Sequence, residues 1–212
     1  MGEPALTGLS IALLCGGRSM RFGADKLRAQ FKGEPLLAHS VKAARALGVQ
    51  VALVHPGPSF RFRDLPLGDR AGLTDVIDAE GVLAPLAGVV AALRWCPTDA
   101  LYVCGGDMPF APSRALIERL QKAIEGHEAA APVLANIIQP LCTLLKKSTL
   151  AKAEELLAKK AGSPFALLRE VPCAKVVLDD LPADAPERMA LFDIDTRADL
   201  EKLDPPPAPP AE

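Results

Sequence analysis

Short apolar runs alternate with segments of helical period along most of this chain, and no other feature of the sequence constrains its folding as strongly. A strand followed by an amphipathic helix is covered by that helix, so repeated alternation predicts stacked βαβ units: an α/β fold with a mostly parallel sheet. Residues 9–15 form the first apolar run. A glycine-rich loop follows, after which Pro35 opens a helix with Leu37, Val41, Ala44 and Leu47 on one face and Gly48 placed to stop it. Residues 49–54 read as the second strand, and a Pro/Gly/Arg-rich connection over 56–70 leads to a weaker strand at 73–77. A helix is expected over 86–95 and a strand over 101–104. Pro112-Ser113 introduces another helix, with Leu116, Leu120 and Ile124 on one face, and residues 129–134 return to the sheet. Further on, the pattern predicts strand at 137–145, helix at 149–160 and strand at 175–178. No repeat or long linker divides the chain, so residues 1–204 are expected to form a single domain. Residues 205–212, mostly proline and alanine, should be a disordered tail.

Charge narrows the range of partners. Among 212 residues, 24 lysines and arginines are interspersed with 26 aspartates and glutamates, giving a net charge of -2. No extended cationic field exists for nucleic acid, and a small-molecule partner is the better expectation. Five cysteines, Cys15, Cys96, Cys104, Cys142 and Cys173, are scattered without a Cys-x-x-Cys pair, which argues against a disulfide framework or zinc knuckle and for buried thiols. His39, His55 and His127 share no metal-ligand spacing, so any metal must sit on carboxylates. No apolar stretch is long enough to span a bilayer, and Met1-Gly2-Glu3-Pro4 lacks a basic lead into a signal peptide, so a cytoplasmic protein without membrane contact is expected.

The chemistry is concentrated in residues 14–26, Leu-Cys-Gly-Gly-Arg-Ser-Met-Arg-Phe-Gly-Ala-Asp-Lys, directly after the first strand. Gly16, Gly17 and Gly23 let the backbone turn sharply and bring its N–H groups near an anion, while Arg18, Arg21 and Lys26 supply positive charge. Such a loop suits a triphosphate. It matches neither Gly-x-x-x-x-Gly-Lys-Ser/Thr nor Gly-x-Gly-x-x-Gly. A second feature is an apolar strand running through Gly105-Gly106 into Asp107. Ligands of open α/β sheets bind beyond the carboxyl ends of the strands, which makes Asp107 a neighbour of the first loop and a candidate to hold Mg2+.

Residues 14–26 closely resemble the signature loop of the molybdenum cofactor guanylyltransferases, usually Leu-Ala-Gly-Gly-x-Ser-x-Arg-Met-Gly-x-Asp-Lys. Residues 31–37, Asp78 with Pro85-Leu-Ala-Gly88, Gly106-Asp-Met-Pro-Phe110, and Phe192-Asp-Ile-Asp-Thr196 followed by Asp199-Leu200 extend the likeness over nearly the whole chain. The resemblance implies a Rossmann-like three-layer α/β/α nucleotidyltransferase fold. It also implies Mg2+-dependent transfer of GMP from GTP to molybdenum-bound molybdopterin, releasing pyrophosphate. Carried over, Leu14, Cys15, Gly16 and Gly17 would line the nucleotide, Lys26 and Arg21 would contact its phosphates, and Asp107 would hold Mg2+ with help from Asp195. Asp78 would contact the nucleotide, with Asp75 as its rival in the alignment. A monomer is expected, meeting cofactor-delivery proteins or acceptor molybdoenzymes transiently. The chain departs from the family pattern at Cys15 for alanine, His55 for asparagine, Ala84 for glycine, and Asp193-Ile-Asp-Thr196 for Asn-x-Asn-Thr. A cytidylyltransferase on the same pterin, another nucleotidyltransferase, and a non-catalytic nucleotide-binding relative are the alternatives.

Overall fold

A computed structural model of the chain describes residues 5–16, 26–57, 65–68, 71–78 and 84–203. Its strands are β1 (Leu9–Leu14), β2 (Gln30–Phe31), β3 (Glu34–Pro35), β4 (Gln50–His55), β5 (Leu73–Ile77), β6 (Ala100–Gly105), β7 (Ala129–Leu134), β8 (Ile137–Ile138), β9 (Thr143–Lys146) and β10 (Cys173–Val177). The helices are α1 (Leu36–Ala46), α2 (Pro85–Trp95), α3 (Arg114–Ala123), α4 (Leu150–Ala158), α5 (Pro164–Glu170), α6 (Pro186–Met189) and α7 (Arg197–Leu203). The main sheet runs β10-β7-β9-β6-β1-β4-β5, with β8 paired to β7, while β2 and β3 form a separate hairpin. The pairs β1–β4, β1–β6, β4–β5 and β7–β10 are parallel.

Period-two alternation divides the side chains between two cores. Ile11 and Leu13 of β1, Val51 and Leu53 of β4, and Tyr102 and Cys104 of β6 meet Val41 of α1 and Leu116 of α3. Ala12, Ala52, Val54, Leu101 and Val103 meet Leu86, Val90 and Leu93 of α2, together with Ala153 of α4 and Leu167 of α5. Helices therefore cover both faces, as a parallel sheet buried on both sides requires. Gly48 stops α1 as expected: it sits at φ +72°, a region open to glycine at little cost.

Several expectations need correction. The apolar stretch 137–145 is not one strand. Ala135 and Asn136 take positive φ and turn the chain, β8 folds back on β7 for two residues, and Pro140 and Cys142, the latter at φ +65°, interrupt it before β9. β9 then runs antiparallel between β6 and β7, reversing direction within an otherwise parallel run. The helix expected over 149–160 is shortened to α4, because residue 149 lies in a 3-10 turn and Lys160 takes φ +62°. Finally, α5 lies where no helix was expected, although Ser163 caps it by accepting from the Phe165 N–H at 3.2 Å and Pro164 opens it. The expected strand at 175–178 begins two residues earlier, as β10. The 205–212 tail lies outside the described residues, and among those described no helix is long and apolar enough to cross a membrane.

A third cluster decides where the chain's end goes. Ile194, fully buried, packs with Phe31 and Leu36, and Phe110, Phe192, Leu200 and Leu203 close around them. The start of α7 is fixed by Thr196 and Asp199: the Thr196 N–H donates to Oδ2 of Asp199 at 3.0 Å, and the Asp199 N–H donates to Oγ1 of Thr196 at 3.2 Å. The segment from 192 to 203 is thereby strapped across the β2–β3 hairpin. Removing the anchor with Ile194→Ala should cost about 2–5 kcal/mol in a urea titration and accelerate hydrogen exchange first across residues 192–203.

Candidate functional site

The carboxyl ends of β1, β4, β5 and β6 lie together at one edge of the sheet, and the segments leaving them build the site. β1 hands the chain to Leu14, Cys15 and Gly16. The Leu14 carbonyl accepts from the Gly106 N–H at 2.9 Å, and the Cys15 N–H donates to Val54 at 2.7 Å, so these backbone groups tie three strand ends to one another. The Cys15 thiol is buried and donates to the Leu13 carbonyl at 3.3 Å, which turns it into the core. Gly16 is the exposed member of the trio.

Asp78 follows β5, with its N–H bonded to the His55 carbonyl at 2.9 Å. Its carboxylate lies about where a side chain on Gly16 would point, 3.8 Å from the position of such a Cβ, and 4.0 Å from the equivalent point on Gly88 in α2. A Cβ on Gly88 would press on the Leu14 side chain at 3.3 Å, whereas one on Gly16 would meet Pro56 and Asp78 at ordinary contact distance. Burial pushes the Asp78 carboxyl above its ordinary value, with the nearby charge of His55 opposing. Asp75, the alternative in the sequence, is an exposed residue inside β5, whereas Asp78 lies beside Gly16 and Gly88. His55 is itself buried, and its Nδ1 lies 3.1 Å from the Gly57 carbonyl.

β6 delivers Gly105, Gly106 and Asp107. A Cβ on Gly105 would collide with the Asp107 carboxylate, and one on Gly106 would lie 3.0 Å from the Cys15 sulfur, so the double glycine lets the strand end fold tightly against β1. The Asp107 carboxylate reaches the Lys26 ammonium at 2.8 Å. The convergence expected from sequence, of the loop lysine and the strand-end carboxylate, is present.

Two further carboxylates arrive from the strapped segment. Asp193 and Asp195 flank the buried Ile194 and lie 3.0 and 3.2 Å from the same Lys26 nitrogen. Asp195 was a candidate from sequence. The sequence offers both carboxylates of this Asp-x-Asp as help for a metal and favours Asp195, yet Asp193 lies closer to the lysine and is more enclosed. Its signal was the Asp-x-Asp spacing around an isoleucine, which becomes informative only once that isoleucine is known to be buried. Arg21, Gly17 and Arg18 lie outside the described residues.

The electrostatics of this cluster are uneven. Burial works to lower the lysine's affinity for its proton, but bonding to Asp107 and Asp193 outweighs it and holds Lys26 well above its ordinary value. Asp193, although paired with that lysine, is also pushed up, first by burial and then by the charge of Asp107. The two shifts are compatible because one ammonium is shared among three carboxylates. Each carboxylate receives only part of its attraction while feeling the others' repulsion. The residues here thus carry more negative charge than the lysine neutralises, which fits a divalent cation held by one or two carboxylates, with phosphate oxygens and water completing its shell. Among the described residues, no three His, Cys, Asp or Glu side chains are arranged to hold an ion unaided.

The model of the MobA-like NTP transferase domain matches residues 11–174. A molybdenum cofactor guanylyltransferase of Pseudomonas putida is 36% identical over 170 residues, 78% of this chain and 85% of that protein. A probable molybdenum cofactor guanylyltransferase of Carboxydothermus hydrogenoformans is 25% identical over 195 residues, covering 92% and 94% of the two chains. Among solved structures, molybdopterin-guanine dinucleotide biosynthesis protein A of Archaeoglobus fulgidus shares the fold with a TM-score of 0.75, over 92% of this chain and 96% of that one, at 21% identity.

The raised Asp193 carboxyl fixes the sign of a pH effect. In the ligand-free protein this group favours folding while protonated, below the ordinary aspartate value of 3.8, and that contribution fades as pH rises through its raised value. Asp193→Asn should flatten the stability curve across that window, as measured by thermal unfolding between about pH 3 and about pH 7.

Proposed function

The chain belongs to the MobA-like NTP transferase family, a family of nucleotidyltransferases, and from that premise we propose that it transfers GMP from GTP to the terminal phosphate of molybdenum-bound molybdopterin, releasing pyrophosphate. Residues 1–204 would act as one catalytic domain. The observation that carries this reading is the meeting of Lys26 and Asp107 at 2.8 Å, at the strand-end edge where Asp78 also lies next to Gly16 and Gly88. A polyphosphate needs cationic and metal-holding groups within reach of each other, and these come from segments far apart in the chain.

The reaction brings two anions together. The acceptor phosphate is already ionised near neutral pH, so its attack on the α-phosphorus requires no strong general base, and positioning with charge stabilisation carries the rate. That accounts for a site of lysine and carboxylates without a nucleophile–base pair. Asp107, with Asp195, would hold Mg2+, which when bound polarises the α-phosphate and offsets the charge of the triphosphate. Lys26, and Arg21 with it, stabilises the negative charge that builds on the β- and γ-phosphates as they leave. Asp78, beside Gly16 and Gly88, faces the nucleoside and accepts hydrogen bonds from it. The shape left by Leu14 and Gly16 sets how closely the nucleotide approaches the sheet edge.

Base identity is tested by a thermal-shift series with GTP, CTP, ATP and UTP in Mg2+. GTP should raise the unfolding temperature most, in proportion to ln(1 + [L]/Kd), and a larger shift with CTP would make the chain a cytidylyltransferase instead. Turnover should vanish in Asp107→Ala while circular dichroism and the unfolding midpoint show a folded protein. Lys26→Ala should lower kcat roughly 10²- to 10³-fold, the loss typical of one preorganised charge contact.

A further inference from the structure

Three carboxylates surround the Lys26 ammonium: it donates hydrogen bonds to Asp193 at 3.0 Å and Asp195 at 3.2 Å, and Asp107 lies in ion-pair contact at 2.8 Å. The lysine stem is enclosed, its side chain only 7% exposed, so the nitrogen has little freedom to seek other partners. Lys26 therefore cannot meet a phosphate oxygen with all three contacts in place. One must be exchanged, and the geometry ranks the candidates. Asp107 is the shortest contact and the least exposed of the three carboxylates. Asp195 is the longest and, at 57%, the most exposed. Asp193 is intermediate on both counts and lies on the same strapped segment.

We propose that the three carboxylates divide the work: Asp193 is a positioning residue that, with Asp107, keeps the Lys26 ammonium in place throughout the cycle, while Asp195 is the ligand the ammonium releases when a triphosphate arrives. The exchange is balanced, one N–H···carboxylate bond giving way to one N–H···phosphate bond, with no proton changing hands. It also frees a carboxylate at the moment a metal–triphosphate enters. Ile194 makes the arrangement cooperative. Because a single buried side chain anchors both aspartates, docking of residues 192–203 sets the lysine, and undocking would release it. The C-terminal strap is on this account part of the nucleotide loop's machinery.

The proposal rests on the reading of a triphosphate site, and its test separates the two. The first measurement needs no nucleotide: an NH3+-selective 1H–15N spectrum, in which only ammonium groups held by stable hydrogen bonds are visible. A Lys26 resonance, assigned by its loss in Lys26→Met, should be present in the ligand-free protein, disappear in Asp193→Asn and survive in Asp195→Asn. Its absence from the wild type, or loss in both variants, overturns the proposal. The second is a pair of double-mutant cycles on kcat, run with whichever triphosphate the thermal-shift series selects. Asp193→Asn should cost about 10- to 100-fold, and that cost should disappear in the Lys26→Met background because Asp193 acts through the lysine. The Asp195→Asn cost should persist in that background. Additivity of Lys26 and Asp193 overturns the proposal, as does identical behaviour of the two aspartates. If no triphosphate binds, the functional reading fails, while the spectrum still decides the positioning role.

Discussion

Taking an ammonium out of water costs several kcal/mol unless its donors are met, and at Lys26 that cost is offset by three carboxylates from two distant parts of the chain. Much of the architecture around the site follows from this constraint. The β6 strand must end in two glycines so that Asp107 can turn back toward β1, and the end of the chain must return across the β2–β3 hairpin to deliver Asp193 and Asp195. The ion cluster and the small apolar cluster at Ile194 are two sides of one packing solution. The aspartates on either side of the isoleucine reach the lysine because the isoleucine is buried.

The sheet supplies the other half of the constraint. Parallel strands end together at one edge, so loops that follow β1, β4, β5 and β6 become neighbours however far apart they lie in sequence. Asp78 and Gly16 meet in this way, as do Lys26 and Asp107. The reversed strand β9, inserted between β6 and β7, lies to the other side of β6 and does not disturb this edge.

Much of this was legible in the residues themselves. Short β-rich runs with turns after them marked β1, β4, β5, β6 and β7, and α1 to α3 followed from their apolar faces and end signals, because periodicity and capping are local properties. The meeting of Lys26 with Asp107 was likewise predictable, since strand order in an open α/β sheet brings the segments after its strands together. Legibility failed where local and tertiary preferences competed. The stretch from 137 to 145 is apolar enough to read as one strand, yet Pro140 and the positive φ of Cys142 break it, and apolarity alone carries no signal for backbone sign. Helix α5 was missed despite its Ser-Pro start because its seven residues span too few turns to display a period.

By itself, then, the sequence determined the layered α/β architecture and the convergence of Lys26 with the strand-end aspartate, because each is written in residues close together or in a motif of fixed spacing. Only the tertiary structure decided that Asp193 reaches Lys26, that Asp78 rather than Asp75 lies beside Gly16, and that one lysine is shared by three carboxylates. Those facts depend on which side of Ile194 is buried and on where β5 ends relative to β1. Both are set by packing between segments that share no local sequence.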